Sequence, residues 1–505
     1  MFVFTTKAKI LAVSLTLVGL IMLVIGFNAP VTHNSGESHG EVAHAVGSHA
    51  GDSHAVDSHA VDSHAGDSHA GDSHAVDSHA GDSHAGDSHA VDSHAVDSHA
   101  GDSHAGDSHA VDSHAGDSHA SDSHAGDSHA GDSHVGHEDH GPANRPWSAF
   151  LVNTIFFLGI GVGTLFFLAI QYAAQAGWSA GILRVMEAVS LFVIVPLLGL
   201  LFLAITGSMH QHHIWHWMQE GIMDPSSSNY DSLIAGKEAY LNAPFFILRT
   251  ILYLVIWGGA AYLFRRNSLR EDRLPSGQNL FFTQRKLGAT FIVLYAVTSS
   301  TSAWDFIMSI DAHWFSTLFG WYTFAGMFVT SLTVLNLLVI YLRIGGYLPW
   351  VNSNHQHDLG KFMFAFSVFW TYLWFSQYML IWYSNIPEET PYYLARFGEY
   401  KLLFITMVVL NFLMPILVLM SRDAKRIAGF IGLAAVFVLA GHWMDHYIMI
   451  MPGSVGYNYG FGWAEIGGFL FYAGIFIYVV LHNLAAAPLL MKNHAMIHES
   501  KLFHQ

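Results

Sequence analysis

The residues best suited to chemistry lie near the end of a long apolar run, in residues 441–446 with the sequence GHWMDH. His442 and His446 are four positions apart, and Asp445 follows His442 by three, so a helix would place all three side chains on one face. Such a group could accept and donate protons. It could also hold a zinc-type metal ion, or bind haem together with a histidine on a facing helix.

Other ionisable side chains lie at the ends of neighbouring apolar runs. Asp305 lies near the end of one run and is followed by Asp311 and His313, while Glu465 opens the last run. If these ends converge with residues 441–446, the side chains would form one cluster suited to proton transfer or to hydrogen-bonding a quinol headgroup. Each of them could instead cap a helix, pair with a neighbour or extend towards the membrane surface.

Glu187 is the one carboxylate expected deep within an apolar run. Ionisable groups inside spanning helices are costly and therefore mark pathways or binding sites. Arg184 precedes Glu187 by three positions, so the two side chains could form a structural ion pair. The alternative is a point of proton entry from the opposite side of the membrane.

The composition indicates that membrane helices position these groups. Of the 505 residues, 52% are hydrophobic and only 12% are charged, which is too apolar for a soluble protein of this length. The net charge of −17 arises within residues 28–146, so it indicates neither an acidic enzyme nor a nucleic-acid partner. The absence of cysteine excludes disulfides, iron–sulfur clusters and covalently attached c-type haem.

The sequence predicts an all-α polytopic membrane protein with ten transmembrane helices. Each predicted run is long enough to cross the hydrocarbon core, which is about 30 Å thick. The first run follows Lys7 and Lys9 and lacks a clear cleavage site, so we expect a retained anchor rather than a signal peptide. The predicted runs are 10–27, 147–175, 181–207, 243–264, 286–309, 316–342, 361–386, 400–421, 426–447 and 463–487.

A five-residue unit, Asp-Ser-His-Ala-Gly/Val, repeats from Ser48 to His134. Five matches neither the helical nor the strand period, and the unit cannot bury a core, so we predict a long disordered His-rich loop. His49, His54, His59 and the later repeat histidines could capture zinc, copper or nickel, or buffer pH. Alternatively, the repeat is a neutral low-complexity expansion in a tolerant loop.

Basic residues predict the orientation of the chain, because Lys and Arg collect on the cytoplasmic side. With the N-terminus inside, ten spans place 16 of the 21 Lys and Arg residues in cytoplasmic segments. Both termini are then cytoplasmic. Residues 28–146, 208–242, 310–315, 387–399 and 448–462 lie outside the cytoplasm.

Two long motifs resemble those of one family. Residues 301–314, TSAWDFIMSIDAHW, and residues 375–390, FSQYMLIWYSNIPEET, are similar to those of the ActF family. ActF is the second NrfD-like integral membrane subunit of alternative complex III, a bacterial quinol:cytochrome c oxidoreductase of the respiratory chain. The resemblance covers about 147–490 and implies two four-helix bundles with flanking helices, in the bacterial inner membrane.

The same resemblance implies cofactors and partners. It implies a subunit without haem or iron–sulfur clusters that contributes a quinone pocket or a proton-conducting bundle. The implied partners are a second NrfD-like subunit, c-type haem subunits, an iron–sulfur subunit and a haem–copper oxidase, in contact with membrane lipids.

We therefore expect four regions: an anchor (1–28), a repeat-containing periplasmic loop (29–146), a nine-helix membrane domain (147–490) and a cytoplasmic tail (491–505). The competing hypothesis is a stand-alone ion or metal transporter whose His-rich loop collects the metal. Few acids lie at the predicted midplane, and the runs show no strong inverted duplication of broken helices, which disfavours this alternative.

Overall fold

The computed structural model describes residues 2–29 and 142–504. Within these ranges the regular structure is helical throughout, so the predicted all-α class is confirmed. The repeat, its histidines and the disorder predicted for them lie outside the described residues.

Ten long helices organise the described chain. Nine of them are long and apolar enough to cross a membrane, as expected for a multi-pass membrane protein. The other, α7, has 32 residues but is rich in Trp and Tyr, whose polar N–H and O–H groups lower its hydropathy. The helices are α1 Thr6–Asn28, α2 Arg145–Ala173, α3 Leu183–Ser208, α4 Ala243–Glu271, α5 Phe281–Ile310, α6 Leu318–Ile344, α7 Ser353–Ser384, α8 Lys401–Leu419, α9 Ala428–Val455 and α10 Trp463–Ala485.

Burial separates central helices from peripheral ones. In the most apolar window of each helix, 94% of α2 and 83% of α6 is buried, against 17% of α1. Helices α2 to α5 form a closed ring in which each contacts the next and α5 returns to α2. Helices α6 to α9 form a second ring of the same kind, and α2 joins the rings by packing against α6 and α9.

Helices α1 and α10 pack side by side through glycines. A Cβ atom on Gly19 would overlap the backbone of Phe471, and one on Gly467 would lie 2.6 Å from the backbone nitrogen of Leu23. Small residues allow helix backbones to approach closely in membranes, where dispersion rather than the hydrophobic effect holds helices together. The first apolar run is therefore a packed helix of this fold.

Hydrogen bonds and other side-chain contacts link the segments between helices into two groups, one at each end of the helical body. At the first, end A, segments 142–146, 208–242, 311–317, 385–400 and 456–462 are linked. At the second, end B, segments 2–5, 174–182, 272–280, 345–352, 420–427 and 486–504 are linked. Helix α7 runs from end B, where Asn354 bonds Arg426, to end A, where Tyr378 packs on Tyr393.

Two membrane helices contain a turn of π-helix. These turns are Leu254–Gly258 in α4 and Val409–Leu413 in α8. A π turn inserts one extra residue and often marks a functional site. The first turn holds Trp257 and the second holds Asn411, both of which are buried.

Candidate functional site

Asp445 lies in a buried polar cluster between α6, α7 and α9. The Tyr322 hydroxyl donates a hydrogen bond to its Oδ1, and the Trp370 indole N–H donates to Oδ2 at 3.1 Å. Nδ1 of His442 lies 3.7 Å from Oδ2. All four side chains are buried. One carboxylate is thus surrounded by a phenol, an indole and an imidazole.

The local sequence explains this geometry. His442 and Asp445 lie three positions apart on α9, so both point to the same side of the helix. Gly326 of α6 faces Trp370 and Asp445: a Cβ atom there would lie 3.4 Å from the Trp370 ring and 3.5 Å from Oδ2 of Asp445, already in van der Waals contact with both. A larger residue at 326 would therefore crowd both groups.

Asp445 has no permanently charged partner. Among residues 2–29 and 142–504, no lysine or arginine forms an ion pair with it; His442 supplies the only recorded pair. A buried charge is costly unless it is paired. Asp445 can therefore change its protonation state without leaving a fixed positive charge uncompensated in the membrane.

Several polar atoms near this cluster have no hydrogen-bond partner. They include both ring nitrogens of His442 and both amide atoms of Asn411, which lies in the π turn of α8. Asn411 packs against α9 at Gly441, where a Cβ atom would overlap its amide. Since buried polar groups are normally hydrogen-bonded, these atoms are suited to bind a polar ligand or water.

His446 shares α9 with His442 but makes different contacts. Its Nδ1 lies 2.7 Å from the carbonyl oxygen of His442, and its ring contacts Phe156 of α2 at 6.1 Å. A carbonyl oxygen only accepts, so Nδ1 carries the hydrogen, while the buried Nε2 has no partner. Although His446 is one turn from His442 on the same helix, it forms neither a hydrogen bond nor an ion pair with Asp445.

Asp305 of α5 forms a buried ion pair with Arg249 of α4. Both of its oxygens accept from Nε of Arg249, at 3.1 and 2.9 Å, and the Tyr253 hydroxyl donates to Oδ2 at 2.6 Å. The guanidinium of Arg249 lies 4.0 Å from the ring centroid of Tyr240 and 4.3 Å from that of Phe245. Asp305 therefore neutralises and orients a largely buried arginine.

Asp311 and His313 belong to separate pairs at end A. Asp311 accepts from Nη2 of Arg396 at 3.1 Å. His313 lies 2.5 Å from Oδ2 of Asp231, which also caps the short helix Ser232–Ala235. Burial favours a raised pKa for Asp231, but hydrogen bonds from the Ile234 N–H and from His313 outweigh it and hold the pKa below its usual value.

Glu465 stabilises the start of α10. Its Oε1 lies 2.9 Å from Nε of Arg145, and its Oε2 accepts from the Gly462 N–H at 2.8 Å. This second bond satisfies a backbone donor at the first turn of α10, where Gly462 has no side chain that could cap the helix. Glu465 thus joins the starts of α2 and α10.

The structure does not assemble the seven predicted end A residues into one cluster. It brings together only His442 and Asp445. In contrast, Asp305, Asp311 and Glu465 each pair with an arginine, and His313 pairs with Asp231. The arginines, which lie elsewhere in the chain, neutralise the carboxylates that the cluster would have needed.

Glu187 lies in an ion-pair network near end B. Its Oε2 is 3.2 Å from Nη1 of Arg265 and 3.7 Å from Nε of Arg184, as expected for the predicted pair. Arg184 also bonds Asp272 at 2.8 Å. Two arginines thus share Glu187, although its Oε1 has no hydrogen-bond partner.

Glu271 is a buried carboxylate that sequence reasoning missed. It is the last residue of α4, fully buried, and neither side-chain oxygen has a side-chain donor among the described residues. Its neighbours Arg270, Asp272 and Arg273 gave this stretch the composition of a solvated loop. The C-terminal segment covers it, as Asn493 Nδ2 donates to its backbone carbonyl at 3.0 Å.

No group of three or more His, Asp or Glu side chains within the described ranges has the arrangement of a metal site. The repeat histidines lie outside those ranges, so the metal-capture hypothesis stays a prediction. No protein-family model matches the chain, and no curated protein matches it either.

Proposed function

We propose that this chain is an integral membrane subunit of a bacterial quinol:cytochrome c oxidoreductase of the alternative complex III type. The observation that carries the proposal is the Asp445 cluster, a buried carboxylate bonded to Tyr322 and Trp370 and facing His442. Quinol oxidation releases two protons with two electrons. A site that binds quinol must therefore offer hydrogen-bonding groups that can take up a proton.

The side chains around Asp445 fit this requirement. His442 has two free ring nitrogens, one of which can accept from a quinol hydroxyl. Asp445 lies close enough to stabilise the imidazolium that would form, and Asn411 offers a further donor and acceptor. In the complex that the resemblance implies, electrons would leave through c-type haem and iron–sulfur partner subunits.

The helix packing supports the architecture that the resemblance implies. The closed rings α2–α5 and α6–α9 have the connectivity of two four-helix bundles, with α1 and α10 outside them. Helix α7 supports a ten-span count because it runs between the same two ends as its neighbours. Both quoted motifs end at end A, which also supports the resemblance.

Charge supports the proposed placement in the bacterial inner membrane with both termini inside. The end B segments and the helix ends that adjoin them carry 16 of the 21 Lys and Arg residues, and this is the cytoplasmic side in the predicted orientation. End A then faces the periplasm, where cytochrome c would accept electrons. Near end B, Glu187 and Glu271 are the carboxylates suited to a proton half-channel.

The test is to purify the tagged chain in mild detergent from its native membrane. We expect c-type haem, seen by its absorbance spectrum, to co-migrate with the chain, and quinol:cytochrome c reductase activity to follow the same fractions. A chain that migrates alone and binds neither haem proteins nor quinol would contradict the proposal and favour the stand-alone transporter.

A matched pair of variants locates the quinol chemistry. Asp445→Asn should co-purify with the same partners but oxidise quinol slowly. The control is Glu399→Gln, which removes an exposed carboxylate at end A whose side chain forms no recorded bond. Equal activity in the two variants would place quinol oxidation in a partner subunit.

A further inference from the structure

A groove on the outer surface of the helical body lies between α7 and α8 at end B. Its volume is about 670 Å³. It is open to the surroundings, since Met420 on its rim is 65% exposed. The cations that line it are Lys361, Arg422 and Lys425, and the apolar lining residues include Phe364 and Ala365.

The groove has an excess of positive charge. None of its lining residues is acidic; the adjacent Asp358 of α7 has its Oδ1 3.1 Å from Nζ of Lys361 and 3.5 Å from Nδ1 of His357, which also lines the groove. Lys425 is buried, and its Nζ donates to the carbonyls of Leu419 and Met420 at the end of α8. Burial lowers the pKa of Lys425, and the positive charge of Lys361 lowers it further.

Apolar residues continue from the groove towards the centre of the helical body. On α7, Ala365, Val368 and Tyr372 follow one another at helical spacing, and Val368 and Tyr372 are 39% and 65% exposed. On α8, Leu417 lies about one turn before Met420, towards the centre of the helix, and is also 65% exposed. The cations therefore lie at the helix ends, with exposed apolar surface on one side of them.

This arrangement matches a ligand with an anionic head and apolar tails. Basic pockets between transmembrane helices on the cytoplasmic side bind anionic lipid headgroups. A free phosphate ion would use the cations but would leave the apolar surface unused. The end of α8 also lies where headgroups meet hydrocarbon, because Leu419 is the last residue of that apolar helix.

We propose that the groove binds the phosphate headgroup of an anionic phospholipid, whose acyl chains lie along α7 and α8. Lys361 and Arg422 contact the headgroup from the two sides of the groove. Lys425 adds charge from below while it caps α8. The inference requires only that the helices span a membrane, and it is independent of the proposed quinol chemistry.

The test uses the full chain with whatever subunits accompany it. After detergent washing, native mass spectrometry would measure binding of added phosphatidylglycerol, with phosphatidylcholine as the neutral comparison. We expect saturable binding of phosphatidylglycerol. Lys361→Gln with Arg422→Gln should weaken it by about thirtyfold, since each basic residue near a membrane surface contributes about 1 kcal/mol.

Two further variants separate charge from shape. Arg266→Gln with Arg270→Gln removes two exposed cations from α4 near the same end of the body and should bind lipid like the wild type. Ala365→Trp fills the groove without changing charge and should abolish binding. Lys425 is left intact because its bonds to α8 are structural.

Three outcomes would overturn the inference. Equal losses in the two double variants would show that only the overall charge of end B attracts lipid. Full binding in Ala365→Trp would place the lipid elsewhere. Displacement of phosphatidylglycerol by millimolar inorganic phosphate, which then saturates the same cations, would identify a phosphate site instead. Unchanged thermal unfolding is required of every variant, so that lost binding cannot reflect misfolding.

Discussion

The clusters around Asp305 and Asp445 are built alike but differ in one partner. Each aspartate is buried in a membrane helix and bonded by a tyrosine, Tyr253 or Tyr322. Asp305 also faces Arg249, whereas Asp445 faces His442. The arginine carries a permanent charge, so the first pair is neutral only while Asp305 is ionised. The imidazole of His442 carries no permanent charge, so a protonated Asp445 would leave no fixed charge unpaired in the second cluster.

Burial of a carboxylate therefore does not by itself identify a proton-transfer group. A fixed cation makes the carboxylate structural, because protonating it would leave a charge uncompensated in the membrane. An imidazole makes it suitable for exchange, because either partner can hold the proton. By the same criterion we expect Asp311 and Glu465 to be structural, since both pair with arginines.

The largest effect should come from breaking the Asp305 pair. Asp305→Asn leaves Arg249 buried and unpaired, so we expect a loss of about 3–5 kcal/mol of stability and poor yield. Thermal unfolding in detergent measures this loss. Replacing both partners, with Asp305→Leu and Arg249→Leu, should recover most of it. A stable, fully assembled Asp305→Asn variant would contradict the structural role.

Asp445→Asn should preserve folding but stop proton exchange. The amide can still accept from Trp370, so we expect little change in the thermal midpoint. Turnover with quinol and cytochrome c should fall by about 100-fold or more, which is the usual contribution of a general acid or base. Wild-type turnover in a well-folded Asp445→Asn complex would remove Asp445 from the mechanism.

The sequence predicted the features that depend on neighbouring residues and missed those that depend on residues far apart in the chain. The helices were predictable because apolar length and the composition of the turns are local properties. Helical spacing also paired His442 with Asp445 correctly. The partners Arg249, Arg396 and Arg145 could not be predicted, because each lies on another helix or loop, and only packing decides which charges meet.

Two residues show other limits of prediction. Charged residues surround Glu271 in the sequence, a pattern typical of an exposed loop, yet the C-terminal segment buries it. Nothing in the sequence marked Asn411 as part of a π turn, since such a turn cannot be distinguished from α-helix in an apolar run. Its position in such a turn, beside Gly441, became visible only in the structure.

The two tyrosines allow a finer version of the comparison. Tyr253→Phe removes a hydrogen bond to a charged group and should cost about 1.5–3 kcal/mol of stability without changing the pH profile of turnover. Tyr322→Phe should instead shift that profile, because the phenol contacts the exchanging carboxylate. Thermal unfolding and turnover between pH 5 and about 9 would be measured for both. A shifted profile in Tyr253→Phe alone would reverse the assignment.

The most local effect concerns His494, a buried imidazole with neither carboxylate nor arginine bonded to it. It packs on the rings of Tyr172 and Phe281, and burial lowers its pKa to about 4. The pKa of an unperturbed histidine is about 6.5, so between about pH 4 and pH 6.5 the undocked tail binds more protons than the docked tail. Docking of residues 486–504 should weaken as pH falls through this window, by about 3 kcal/mol at most.

Hydrogen exchange of the tail amides at several pH values would test this. We expect faster exchange near pH 5 than near pH 7 in the wild type. His494→Phe should remove most of the pH dependence while leaving the aromatic packing in place. Identical pH dependence in the two proteins would assign the effect to other groups of end B.

Infrared difference spectroscopy of the complex during quinol oxidation would show directly whether Asp445 gains and loses a proton. If Asp445 exchanges a proton, a carbonyl band of a protonated carboxyl group should change on turnover in the wild type. The band should persist in the Asp305→Leu, Arg249→Leu double variant and disappear in Asp445→Asn. A band that survives Asp445→Asn, or that disappears with Asp305, would contradict the account.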